Sequence, residues 1–310
     1  MGHDFTPLGG YAQMRRWAGR AVPWGPEGQW SVTFGAGGEV VDHLADLIVD
    51  ARRRVHDRYP AKAEPFAVTL GCVPWLTSDR IVDALLQAGP TCICVDKGSI
   101  TSPAVQRLLA DGAGVANFLI PALRYTGPAD PEGNPPVVGP GSPSPEESGN
   151  VLEPIRVVGW RKAGRRERPV PHLKLAVICA AWRWDTDYGG YEDYLTPLVA
   201  WWGSANWTRG ARRHLEMGAW TTDESFCGTA LDFLVDLIRF SQAPTSDTAG
   251  PEPDLVDAEW DDIAFAEAYA DYLEASESED LADDLPDTGD PSPLSGPDPG
   301  PDEGDSGAPR

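Results

Sequence analysis

The stretch from Phe66 to Ile120 reads FAVTLGCVPWLTSDRIVDALLQAGPTCICVDKGSITSPAVQRLLADGAGVANFLI, and its alternation decides the fold class. Phe66 to Val73 is an uninterrupted apolar run of strand length. Thr77-Ser78-Asp79 then supplies a helix start, Ile81 to Ala88 the helix, and Gly89-Pro90 its stop. Thr91 to Val95 is a second apolar strand. Ser102-Pro103 opens another helix, with Pro at its first position and Gly112 past its end, and Val115 to Ile120 reads as a further strand. Strands apolar on both faces, alternating with helices, predict an α/β fold: a layered parallel or mixed sheet flanked by helices.

Upstream, Trp30 to Phe34 is a short β-like run ending at Gly35-Ala36-Gly37-Gly38. From Glu39, the residues Val41, Leu44, Ile48, Ala51 and Val55 recur at helical spacing. The glycine-rich turn lacks the Lys-Ser/Thr ending of a phosphate loop and the spacing of a dinucleotide fingerprint, so it reads as a plain turn. Residues 1–35 are taken as irregular lead-in. Downstream, residues 125–153 are dominated by Pro, Gly, Ser and acids, the composition of a disordered loop or a functional flap; disorder is the favoured reading. Val170 to Ala180, Leu198 to Ser204 and Met217 to Thr221 read as strands, Trp182 to Tyr194 as an aromatic and acidic excursion, and Phe226 to Phe240 as a closing helix. The domain is placed at 36–242. Residues 243–310 form an acidic tail with one candidate helix over 255–273 and are otherwise disordered.

The chain has 310 residues, 41% of them apolar, enough for a sizeable core. No run approaches the ~18 apolar residues that span a bilayer, and the first thirty residues lack a basic start followed by an apolar block, so a cytoplasmic protein without stable membrane insertion is expected. The net charge of −23 is unevenly spread: residues 244–310 hold 21 acids and one base, the first 243 hold 27 acids and 24 bases. The tail's charge either keeps the chain soluble or competes for a basic partner site. The five cysteines sit mostly in apolar strand-like runs, and no Cys or His pair follows at zinc spacing, so they read as buried packing residues. One basic cluster stands out: Arg156, Arg161, Lys162, Arg165, Arg166 and Arg168. It is either a solvated loop or a phosphate-backbone contact leading to a site.

That cluster runs directly into His172-Leu173-Lys174. On a strand, His172 and Lys174 point to one face and reach one ligand. Ser204 and Asn206, in Gly203-Ser204-Ala205-Asn206, are likewise two apart, at the end of a strand and the start of a turn, where free N–H groups favour an anion. Glu216 follows. Each fragment alone is common; the ordered set is specific.

The set resembles the phospholipase D superfamily, whose signature is His-x-Lys, a later Gly-Ser-x-Asn and a downstream Glu. Across roughly residues 36–242 the order of elements is also similar to single-motif bacterial nucleases of that superfamily. The resemblance implies a phosphodiesterase, with nucleic acid favoured over phospholipid because of the basic run. It implies His172 as nucleophile, forming a phosphohistidine. Lys174 and Asn206 would hold phosphate oxygens, Ser204 would donate a further hydrogen bond, and Glu216 would orient the imidazole. No metal or cofactor is required, because lysine and amide donors supply the charge stabilisation. Trp207, Arg161, Lys162, Arg165 and Arg166 are the expected substrate contacts. Two positions depart from the pattern: Cys179 stands where Asp usually follows the lysine by five, and His214 where Asn precedes the Glu by two. Asp185 and Asp187 are candidate substitutes for that Asp. With one motif in the chain, a two-histidine mechanism implies a homodimer about a twofold axis. The alternative is a degenerate domain that binds a phosphate-rich partner without turnover.

Overall fold

The computed structural model of the chain describes residues 12–17, 28–59, 64–130, 132–138, 151–161, 169–185, 191–245 and 250–263, with 266, 267, 269, 270 and 273. Its strands are β1 (Trp30–Ala36), β2 (Phe66–Cys72), β3 (Thr91–Asp96), β4 (Val115–Ala116), β5 (Thr126–Pro128), β6 (Val137–Val138), β7 (Val151–Leu152), β8 (Ile155–Val158), β9 (Leu175–Asp185), β10 (Tyr191–Gly203), β11 (Leu215–Thr221), β12 (Leu255–Asp257) and β13 (Glu259–Trp260). The helices are α1 (Gly37–Arg58), α2 (Asp79–Ala88), α3 (Pro103–Asp111) and α4 (Glu224–Phe240).

Seven strands form one mixed sheet in the order β1-β11-β10-β9-β2-β3-β8. The β2, β3 and β8 strands run parallel, as the strand and helix alternation predicts; β1, β11, β10 and β9 pair antiparallel. The two faces carry two cores. On one, Leu44 and Ile48 of α1 and Ile81 and Leu85 of α2 pack on Ile93, Ile178 and Trp201. On the other, Leu234 and Ile238 of α4 pack on Val68, Leu70, Val177 and three cysteines of β2 and β3. All five cysteines are free and buried, and burial pushes the Cys94 thiol up to about 12, so they act as packing residues. The α2 stop is physical: Gly89 has φ +133°, and a Cβ there would lie 2.9 Å from the Ala67 carbonyl. Among the described residues, no helix is long and apolar enough to cross a membrane.

Several expectations are corrected. Trp30 to Ala36 belongs to the main sheet as edge strand β1, so the domain begins before residue 36. Val115 to Ile120 is not one strand: only Val115–Ala116 pairs, and Asn117 starts a 3-10 turn. The stretch from Trp182 to Tyr194 is no excursion but the outer part of the β9–β10 hairpin, where Trp182 stacks on its cross-strand partner Tyr194. The loop 125–153 contains β5, β6 and β7, while residues 131 and 139–150 lie outside the described residues.

The largest correction concerns the end of the domain, which runs to Phe265 rather than Gln242. Val157 and Gln242 exchange two backbone hydrogen bonds of 3.0 and 2.9 Å, and β12 pairs with β5. Residues 255–257 and 259–260 are therefore strands, not the start of a helix over 255–273. Arg156, 2% exposed, anchors the segment: its guanidinium donates to Ser241, to Glu153 at 2.9 Å and to Asp254 at 2.8 Å. Asp257 likewise accepts from Arg239 of α4. Acids that read as solvating tail are here the counter-ions of body arginines. In the second unit, Ala266–Arg310, the described residues are helical and exposed.

Removing one partner of a buried ion pair costs about 3 kcal/mol or more. A chain ended after Gln242 loses Asp254 and the β12–β5 pairing. It should therefore unfold at a clearly lower urea midpoint than a chain ended after Leu273; coincident midpoints would contradict this reading of the segment.

Candidate active site

The described residues of the motif meet at one end of the sheet. Leu175 opens β9 and pairs with both Cys72, the last residue of β2, and Trp202 near the end of β10. Gly203 then donates its N–H to the Lys174 carbonyl at 3.2 Å, continuing the ladder past the named strands. Ser204 donates its N–H to the Met217 carbonyl at 2.9 Å, and its hydroxyl accepts from the Met217 N–H at 3.0 Å. That hydroxyl in turn donates to the carboxylate of Glu216. These bonds bring the two halves of the motif onto adjacent strands. Across β11, Glu216 pairs with Gly35 of β1, and a Cβ on Gly37 would lie 3.0 Å from the Glu216 side chain. The same Cβ would lie 2.1 Å from the Ala211 carbonyl oxygen, so glycine at the first position of α1 allows the close approach of that backbone.

Lys174 is 6% exposed, whereas His172 is exposed. The Lys174 Nζ lies 3.2 and 3.1 Å from the two ring nitrogens of His172, and the imidazole meets the Trp75 ring edge-on at a centroid distance of 6.2 Å. Burial holds the Lys174 amine below the ordinary lysine value, and the nearby Glu216 carboxylate offsets part of that shift. The arrangement differs from expectation in one respect. The Glu216 carboxylate accepts from Ser204 and acts on Lys174 through its charge, so the neighbours of the His172 imidazole are Lys174 and Trp75.

Asn206 is partly exposed, with its Oδ1 buried and without a partner. A buried acceptor without a partner marks a place where a donor, or reorientation of the amide, has yet to be supplied.

The expected substrate contacts fare less well. Trp207 is fully buried, edge-on to Trp201 at 6.4 Å, and its backbone carbonyl takes the N–H groups of Thr77 and Ser78. It is a core residue and cannot touch substrate. Arg156 is the buried anchor described above. Arg161 sits just past β8, at the same end of the sheet as His172, and its charge acts on buried Lys97. Lys162, Arg165 and Arg166 lie outside the described residues, as does Asp187.

Cys179 lies five residues along β9 from Lys174, roughly 16 Å at strand rise. It is completely buried in the core beneath α4. The departure from the Asp pattern therefore falls inside the sheet, away from Lys174 and His172. Asp185 closes β9 at its far end, about 20 Å from Cys179 by the same rise. Trp75, which was not among the expected site residues, stands just past the carboxyl end of β2, the place where α/β sheets position ligands.

No family model matches the chain, and no curated protein matches it. Among solved structures the chain is similar to NucT from Helicobacter pylori, at 13% identity over 70% of this chain and 99% of that one, TM-score 0.40. It is also similar to Nuc from Salmonella typhimurium, a phospholipase D family member, at 13% identity over 70% and 97%, TM-score 0.39. A third likeness is to polyphosphate kinase from Porphyromonas gingivalis, at 13% identity over 71% and 27%, TM-score 0.36. What the site can do is set by its own geometry.

A lowered lysine value has a signed consequence. Between the folded and unfolded values the unfolded chain binds more protons, so Lys174 makes stability rise with pH across that alkaline window. Anion binding runs the other way and is lost as the amine deprotonates. Sulfate affinity followed against pH should fall with a midpoint below 10.5, the ordinary lysine value, and Lys174→Met should remove that limb. A midpoint at or above 10.5 would contradict the burial argument.

Proposed function

We propose that the chain is a phosphodiesterase of the phospholipase D superfamily that acts on nucleic acid through a covalent phosphohistidine on His172. The observation that carries this reading is the convergence of His172 and Lys174 with the Ser204–Glu216 pair on adjacent strand ends. A ring nitrogen of His172 attacks phosphorus, a P–N bond forms, and the bond to the leaving oxygen breaks. A second histidine gives that oxygen its proton. The same histidine then takes a proton from water, which attacks phosphorus and releases His172 with the second alcohol still esterified. Buried Lys174 supplies positive charge to the phosphate oxygens where water screens it least, and an Asn206 amide turned with its NH₂ outward adds a donor.

Ser204 and Glu216 serve first as positioning residues. The hydroxyl ties β10 to β11 and holds the carboxylate where it keeps the Lys174 amine charged. The second histidine comes from a second copy of the chain across a twofold axis, which the exposure of His172 permits. Arg161 lines the approach to the site with positive charge.

His172→Ala should lower turnover of a generic phosphodiester by about 10³-fold or more while leaving the unfolding midpoint nearly unchanged, since the side chain is exposed. Equal hydrolysis by both proteins would end the enzyme reading and leave phosphate binding in its place. Light scattering on active protein should show a dimer, and a monomer that still cleaves would refute the shared site.

A further inference from the structure

Loop 73–78, between β2 and α2, is held on both sides. Val73 donates its N–H to the Cys94 carbonyl at 3.0 Å, and the Pro74 carbonyl accepts from the Asp96 N–H at 3.2 Å and the Ser99 hydroxyl at 2.7 Å. The Leu76 carbonyl accepts from the Ser102 hydroxyl at 2.8 Å, while Thr77 and Ser78 donate to the Trp207 carbonyl at 2.9 and 3.0 Å. Val73, Pro74, Leu76 and Ser78 are buried. In the middle of this pinned loop Trp75 is 40% exposed, with its ring edge-on to His172.

A single exposed aromatic is ordinary on a protein surface. This one differs in three ways: the backbone beneath it is fixed, it stands at the carboxyl end of a parallel strand, and it touches the proposed nucleophile. A rigid indole beside a site for an anionic ester presents one π-face at a set distance from phosphorus. The chemical group that matches such a face, and is joined to a phosphodiester through a sugar, is a nucleobase.

We infer that Trp75 is the specificity-determining residue of the site, a platform on which the base adjoining the scissile phosphate stacks. The inference rests on the phosphodiesterase reading for its geometry but is tested by binding. Stacking accepts any base, so the preference is for bases over none, with little discrimination among sequences. Trp207, which the sequence nominated for this role, is walled into the core, and Trp75 takes its place.

The test is fluorescence anisotropy of a labelled twelve-residue oligothymidylate and of an abasic oligomer with the same number of phosphates, using the full chain at fixed salt. Wild type should bind the base-bearing strand more tightly by on the order of 5- to 150-fold, the range for losing one base–aromatic stack. Trp75→Ala should erase that preference and leave abasic binding unchanged; Trp75→Phe should keep most of it. Equal binding of the two strands by wild type overturns the proposal, as does a preference that survives Trp75→Ala, or an equal loss on both strands, which would mean that Trp75 only positions His172. Trp75-dependent capture of phosphatidylcholine vesicles without base preference would also overturn it. Cleavage of a diester without base preference would leave the phosphodiesterase standing and the platform refuted. Trp75-dependent base preference without cleavage would do the reverse.

Discussion

The register of β9 against β10 is the constraint on which the site depends. Side chains on a strand alternate faces, so a slip of one residue would send Ala176 and Ile178 of β9 to the opposite core and displace Lys174, which directly precedes the strand. The register is not uniform. It shifts between Pro197 and Val199, where Pro197 pairs with Cys179 and Val199 with Ile178. Proline has no N–H to give a ladder and is confined to such irregularities. Past that bulge, Trp201 faces the α1 side of the sheet and Trp202 the α4 side. The same register aligns Gly203 with Lys174. Trp201 reinforces it: its ring lies over Gly203 and Gly218, and a Cβ at either would come within 3.1 Å of the ring. One proline and two glycines thus deliver the motif's halves to each other.

The elements that were legible in the sequence were those whose identity is local. Phe66 to Cys72 and Thr91 to Asp96 could be read as buried strands because both faces are apolar, and the α2 and α3 boundaries because Gly89, Pro103 and Gly112 mark them chemically. The motif residues were legible as an ordered pattern, but His172 and Lys174 precede β9 and Ser204 and Asn206 follow β10, so the strand spacing expected for them does not hold. What could not be read depended on partners distant in sequence. Arg156 looked like one base in a basic run, yet its neighbours in space are Glu153, Ser241 and Asp254, the last nearly a hundred residues away. For the same reason β12 looked like tail. Twelve tryptophans gave no sign of which faced inward, so Trp207 was nominated by adjacency to Asn206 and Trp75 was passed over.

The electrostatics of the site follow from the same geometry. Burial holds the Lys174 amine below the ordinary lysine value, and the Glu216 carboxylate held by Ser204 offsets part of that shift. A second buried lysine, Lys97, follows β3 at the same end of the sheet. Its amine donates to the Gly250 carbonyl and feels the charges of Glu252 and Arg161. The acidic segment after residue 249 thus reaches the end of the sheet that carries His172, and cation and counter-ion are built into the body together.

The proposed phosphohistidine on His172 can be sought directly during turnover. The direct measurement is an acid-free denaturing quench of the enzyme during hydrolysis of a phosphodiester, followed by peptide mass mapping of the acid-labile adduct. The phosphoryl group, still esterified to one alcohol, should appear on the peptide that contains His172 and be absent from His172→Ala. Turnover with no covalent adduct, or an adduct on another residue, would contradict the proposal.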